Sequence, residues 1–126
     1  MIKFYKDEDY NMIARWWIDH DQVPCPSDLL PSIGFIIDDI VAGFLYQTDS
    51  GVCFFETVVS KKDSDKEKRR EALDQLIDTI VNCAKEMKYK RLIFHTLHPR
   101  LASEVQKKWE CKQHDGSNER FYKELI

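Results

Sequence analysis

Residues 52–96 constrain this chain more than any other stretch. They read as an apolar run (VCFFETVVS), a charged segment, a long amphipathic segment and a second short apolar run (RLIFHT). A strand that feeds a helix and returns to a strand is the βαβ unit of a parallel strand pair. Ala72, Leu73, Leu76, Ile77, Ile80, Val81, Ala84 and Met87 recur at helical spacing. That stripe predicts a helix laid over one face of a sheet. Ser64 followed by Glu67 matches a capping box and predicts a helix start near Ser64. The turn into such a helix offers main-chain N–H groups to an anion.

The flanks add antiparallel strands. Residues 34–48 read GFIIDDIVAGFLYQT, and Asp38-Asp39 between two apolar runs predicts a hairpin. Asp49-Ser50-Gly51 is a second turn signal before the run 52–59. That run is apolar on both sides except at Glu56, as a covered central strand would be. Upstream, 2–5 suits a short strand, and Asp7 is the expected N-cap of a helix to about Asp19. Tyr10, Ile13 and Trp17 share one face of it, widened by Met12 and Trp16. The tryptophan pair reads as core plus edge, the alternative being one ring that lines a pocket. Residues 20–32 carry Pro24, Pro26 and Pro31 and predict a constrained loop with one helical turn at most. Downstream, 101–109 is expected to be a shorter helix. Residues 110–114 and 119–125 flank Asp115-Gly-Ser-Asn118 as a terminal hairpin.

Length bounds the organisation. With 126 residues, 43% apolar and 33% charged, the chain suits one globular domain, 1–126. A net charge of −3 without a long basic run gives no reason to expect nucleic acid as a partner. No apolar run approaches the ~20 residues of a membrane span, and MIKFYKDEDY lacks a signal-peptide core. Cys53 and Cys83 fall on apolar faces and no Cys-x-x-Cys occurs. The expectation is a cytoplasmic protein without disulfides. His95-x-x-His98 and Cys111-x-x-His114 have zinc-compatible spacings. One histidine falls inside a strand and the second pair enters a hairpin, so individually satisfied histidines are the simpler reading and no metal is expected.

The order β-α-β-β-β-α-β-α-β-β resembles the GNAT superfamily, the GCN5-related N-acyltransferases, over nearly the whole chain. In detail it is similar to small GNAT-like proteins of tailed phages. Trp16-Trp17, Asp28-Leu-Leu-Pro-Ser-Ile-Gly34, Ala42-Gly-Phe-Leu-Tyr46 with Thr48-Asp-Ser50, and Val59-Ser60 followed by Arg70-Glu-Ala-Leu73 carry that likeness. The resemblance implies an α/β fold with a mixed central sheet and helices on both faces. It implies acetyl-CoA as acyl donor and an amine acceptor, small molecule or protein, with a homodimer left open. The family signature, Arg/Gln-x-x-Gly-x-Gly/Ala, aligns with Lys68-Arg-Arg-Glu-Ala-Leu73, so Glu71 and Leu73 replace both glycines. Two readings of 61–71 follow. One is a solvated, mixed-charge helix start. The other is a modified anion site, in which Lys66, Lys68, Arg69 and Arg70 supply charge and Val58 and Val59 complete the cofactor contacts. The resemblance places a general base at Glu56. A carboxylate amid Phe54, Phe55 and Val58 is costly unless solvated or paired; a carboxylate in a solvated groove without a chemical role is the alternative. The family's late-helix tyrosine slot falls on Glu104, so that acid is absent or differs. Two functions remain: an acyl-CoA-dependent N-acyltransferase, or a GNAT-fold protein that acts by binding a host or phage protein.

Overall fold

Turn residues decide where the apolar runs stop. In the computed structural model, which describes residues 1–95, 99–114 and 120–125, seven strands form. They are β1 (Ile2–Phe4), β2 (Gly34–Ile37), β3 (Val41–Tyr46), β4 (Val52–Ser60), β5 (Arg91–His95), β6 (Lys112–Gln113) and β7 (Arg120–Glu124). They make one mixed sheet in the order β1-β2-β3-β4-β5-β7-β6. β4 and β5 run parallel, with Val52 opposite Arg91 and Phe55 opposite Phe94. The pairs β1–β2, β2–β3, β5–β7 and β6–β7 are antiparallel. Three α-helices are described: α1 (Tyr10–Asp19), α2 (Lys66–Glu86) and α3 (Pro99–Lys108). The parallel pair expected from the sequence is present. Thr96 and the hairpin turn Asp115–Asn118 lie outside the described residues.

The chain groups into two compact units. The first holds Met1–Phe44 and Thr57–Ile80. Its β2–β3 turn is built on Asp38 and Asp39, both left-handed at φ 53° and 52°. The Ile40 N–H closes on the Ile37 carbonyl at 2.9 Å. Two successive left-handed residues match the right-handed twist of a hairpin, and aspartate tolerates that region better than most side chains. Gly34 is required at its position, because a Cβ there would lie 2.5 Å from the Phe44 ring. The Tyr5 ring meets that same Phe44 edge-on at 5.0 Å between centroids. Ile13, Trp16, Trp17, Ile36, Ile37, Phe44, Leu76 and Ile77 are buried in this unit's core. Both tryptophans are therefore interior, and neither ring sits at an edge. α1 begins later than expected. A 3₁₀ turn covers Asp7–Asp9, and the Lys6 N–H donates to Asp9 Oδ2 at 3.0 Å. Asp9, not Asp7, satisfies the chain there, and all three acids still complement the helix dipole. The expected helical turn in the proline loop is a 3₁₀ turn, Ser27–Leu29.

The second unit holds Leu45–Glu56 and Val81–Ile126. Here α2 ends at Glu86 and is stopped by Lys88, left-handed at φ 68°. The Tyr89 N–H returns to the Ala84 carbonyl at 3.1 Å, the six-to-one bond of a Schellman stop. The Lys90 N–H then donates to the Gly51 carbonyl at 2.8 Å and aims the chain into β5. β7 lies between β5 and β6. Arg91 holds it by pairing with Glu124 at 2.6 Å and stacking 4.1 Å from the Tyr122 ring centroid. The Lys123 ammonium donates to the Trp109 carbonyl at 2.8 Å, just past α3. Cations are favourable at that end of a helix.

One expectation about the sheet is corrected. β4 is not covered on both sides. Cys53, Phe55 and Val59 are buried, but Val52, Phe54 and Glu56 are half-buried and Val58 is 37% exposed. The strands covered throughout are β2, buried at all four residues, and β3, buried at Val41–Leu45. An unbroken apolar run reports hydrophobicity and not which of its two sides is covered.

Candidate functional site

β4 is fourth of seven in the sheet, yet its even-numbered residues stay partly open to solvent. A middle strand is normally screened on both faces, so the half-buried Phe54 and Glu56 leave a part of β4 that a ligand can reach. Glu56 is half-buried, and its carboxylate makes no ion pair or hydrogen bond with the described residues. A half-buried carboxylate with no internal partner is available to take a proton from a ligand. Asp38 and Asp39 are taken up by the β2–β3 turn, and Glu119 lies outside the described residues.

Thr57, immediately after Glu56, has φ 61°. Among the described residues the paired register with β5 runs to Phe55, while β4 continues to Ser60. At its far end β4 is tied down. The His20 Nε2–H, just past α1, donates to the Ser60 carbonyl at 2.8 Å. The Lys61 N–H donates to the Ile40 carbonyl at 2.7 Å.

The segment that follows closes on itself. α2 starts at Lys66, and the Asp65 carboxylate accepts the Lys68 N–H at 3.0 Å. The capping box expected at Ser64 is not formed. Aspartate is as good an N-cap as serine; with the cap moved one residue on, the Ser64 hydroxyl donates to the Lys61 carbonyl at 2.6 Å. The Arg69 guanidinium folds back on the same loop, donating to the Lys62 carbonyl at 3.2 Å, the Ser64 carbonyl at 3.4 Å and Ser64 Oγ at 3.3 Å. The Arg69 N–H donates to the Asp65 carbonyl at 2.9 Å. Residues 68–73, aligned with the family signature, are thus already helical, and main-chain amides past the first turn are committed to the helix ladder. Lys66, Lys68 and Arg70 are exposed and Arg69 is half-buried.

The remaining candidates separate. Glu104 is half-buried in α3. His95 ends β5 and is exposed, and His98 lies outside the described residues. Cys111 is buried, and burial pushes its thiol up to about 12. Among the described residues no three of His, Cys, Asp and Glu come together as a metal site. Sequence reasoning missed Asp65, Thr57 and His20. Only Asp65 left a signal, as a second good cap beside Ser64.

No protein-family model and no curated protein matches the chain by sequence. Solved structures do match. The chain is similar to a Mycobacterium tuberculosis protein in complex with CoA, at TM-score 0.78 and 10% identity, over 100% of this chain and 99% of that one. It is similar to an acetyltransferase of the GNAT family from Staphylococcus aureus Mu50, at TM-score 0.72 and 10% identity, over 100% and 99%. The chain has the GNAT fold. The ribosomal-protein-S18-alanine N-acetyltransferase of Escherichia coli also matches, at TM-score 0.71 and 8% identity, over 97% and 90%. At 8–10% identity, these structural likenesses show the GNAT fold alone. No described helix is long and apolar enough to cross a membrane.

Proposed function

We propose that this GNAT-fold chain is an N-acyltransferase that moves an acyl group from acyl-CoA to an amine, with Glu56 as general base. The observation that carries this is the half-buried carboxylate of Glu56 in β4, without a partner among the described residues. Acyl-CoA supplies an activated acyl group as a thioester. A typical amine is protonated near pH 7, and Glu56 takes that proton directly or through one water. Val58 and Val59 offer the β4 main chain alongside. Lys66 and Lys68, exposed at the first turn of α2, supply positive charge to the pyrophosphate, with Arg70 close in sequence. The fit there is uneven, since Asp65 holds the Lys68 amide and Arg69 is committed to the loop. The thiolate leaves without a protein acid, because a thiol pKa near 8.5 makes it a competent leaving group.

A second reading has its own observation. The segment 68–73 is helical and its start is capped by a carboxylate. A chain that uses the GNAT fold only to bind a host or phage protein has no need of an open anion site. Calorimetric titration with acetyl-CoA separates the two. Acyl transfer requires saturable one-to-one binding. A folded protein that gives no binding heat, and no protection of 56–68 from hydrogen exchange, supports the binding-protein reading.

A further inference from the structure

β1 stands at one edge of the sheet, next to β2. The Tyr5 N–H donates to the Gly34 carbonyl at 2.8 Å, and the Met1 carbonyl accepts the Asp38 N–H at 2.8 Å. Main-chain groups alternate in direction along an antiparallel strand, so Met1, Lys3 and Tyr5 turn theirs toward β2. The N–H and C=O groups of Ile2 and Phe4 therefore point away from the sheet. The side chains of those same two residues share one face. Ile2 lies opposite Ile37 and Phe4 opposite Phe35, and both partners are buried. The Phe4 ring meets the Phe35 ring at 5.1 Å between centroids. Yet Ile2 is 49% exposed and Phe4 66% exposed. The apolar layer of β2 thus runs on to the last strand and ends uncovered there, beside an outward row of donors and acceptors.

We infer that the β1 edge is an interaction surface for a second copy of this chain, which adds its own β1 antiparallel across a two-fold axis at Lys3. The inference does not depend on acyl transfer. With the axis at Lys3, Ile2 of each copy faces Phe4 of the other, and the outward N–H and C=O groups of each pair find partners. An axis at Ile2 or at Phe4 would leave the other of the two residues without a β1 partner. An aromatic residue directly opposite a β-branched one also makes a favourable cross-strand pair. Edge strands are commonly blunted by lysine. Here the Lys3 ammonium already lies 3.2 Å from Asp9 Oδ1 and 3.4 Å from Asp39 Oδ1. Lysines opposite one another would repel, but each arrives with two carboxylates beside it, which offer the other copy's ammonium an opposite charge. A second copy thus supplies the apolar pair, the main-chain partners and the carboxylates together. Two-fold pairing uses up the β1 edge of both copies, so it closes at a dimer. The length of β1, three residues, bounds the strength. Two such edges bury less than the ~1,200 Å² at which specific stable interfaces begin, so the dimer should be weak and concentration-dependent.

The test is sedimentation equilibrium of the full, untagged chain from about 5 to about 500 µM, a range that brackets the affinity of a small interface. A monomer–dimer equilibrium with a Kd of roughly 20–200 µM is expected. Amide hydrogen exchange at Phe4 should slow about 3-fold or more between the ends of that range, while exchange in β3 stays within about 2-fold. Phe4→Lys puts a charge into the apolar pair. Ile2→Pro removes an outward N–H that the pairing with β2 does not use, a place where an edge strand tolerates proline. Each should raise Kd by about 10-fold or more, with Tm within about 5 °C of the wild type. A chain that stays monomeric at every concentration overturns the inference. So does a dimer whose affinity both variants leave unchanged, or an assembly that grows past two copies. A Phe4 amide slowed only by an added valine-rich peptide strand would assign the edge to a foreign chain and overturn it as well.

Discussion

β4 and the first turn of α2 are joined by five residues, Lys61–Asp65, and have opposite characters. In β4, Glu56 is half-buried and has no partner among the described residues, and Phe54 is half-buried beside it. From Lys61 to Arg69 the chain closes on itself through three residues. Asp65 takes the Lys68 amide, Ser64 takes the Lys61 carbonyl, and Arg69 takes three oxygens of the loop. A polar group left unanswered where it is half-buried costs stability unless a ligand or solvent answers it. A group answered by its neighbours must give that bond up before a ligand can use it. The difference teaches that, on the acyl-transfer reading proposed above, the two segments are not equally prepared. Glu56 would need no local bond broken before acting as base, while the start of α2 would rely on side-chain charge more than on main-chain geometry.

The largest break in this comparison is charge reversal at the start of α2. Lys66→Glu with Lys68→Glu should weaken acetyl-CoA binding by about 10²-fold, since charge-assisted contacts contribute roughly 1.5–3 kcal/mol each. Tm should stay within about 2 °C, because exposed charges add little to folding. Unchanged affinity, measured by calorimetry, would place the pyrophosphate away from α2. Arg69 is left out of that variant because it holds the loop.

Smaller effects sharpen the local closure. Asp65→Ala should cost about 1 kcal/mol of stability through the lost cap, whereas Asp65→Asn should cost only a few tenths. Asp65→Asn also removes the negative charge, so it should tighten acetyl-CoA binding a few-fold. Arg69→Ala should cost about 1 kcal/mol and speed hydrogen exchange across 61–65, leaving exchange in β2 and β3 unaltered. Denaturant titration of the three variants checks the ranking.

The sidedness of β4 gives the smallest effect at neutral pH. Val58→Cys should react with a thiol reagent at pH 7.5, while native Cys53 stays protected. Cys53 is fully buried, and burial pushes its thiol up to about 12, as it does for Cys111. The unfolded chain, with thiols near 8.5, loses those protons first. Stability should thus hold below about pH 8.5 and fall steadily as pH rises toward 12. Thermal melts between pH 8 and pH 11 check the sign.

The architecture was legible because its signals are periodic or steric. The stripe from Ala72 to Met87 fixed the helix, and Asp38-Asp39 fixed the hairpin through the tolerance of aspartate for left-handed backbone. The parallel pair followed from strand, long helix and strand in succession. Glu56 was legible as the one acid in an apolar strand. What stayed hidden depended on choices between near-equal partners. Ser64 and Asp65 are both good caps, and loop geometry, not propensity, selected Asp65. Whether Arg69 faces solvent or its own loop depends on where that cap lies. The left-handed Thr57 had no sequence signal, because threonine is an ordinary strand residue and a poor left-handed one. The partial opening of β4 was invisible too, since an apolar run reads the same whether one side or both are covered.

The most direct test of the central claim is the rate of thiol release from acetyl-CoA by the wild-type chain and by Glu56→Gln, each with the best amine of a panel (lysine methyl ester, spermidine and glycinamide). The substitution keeps shape and hydrogen bonding and removes basicity. The account predicts a kcat lower by roughly 10²–10⁴-fold in the variant, with acetyl-CoA affinity nearly unchanged. Equal turnover by the two proteins at neutral pH would contradict it.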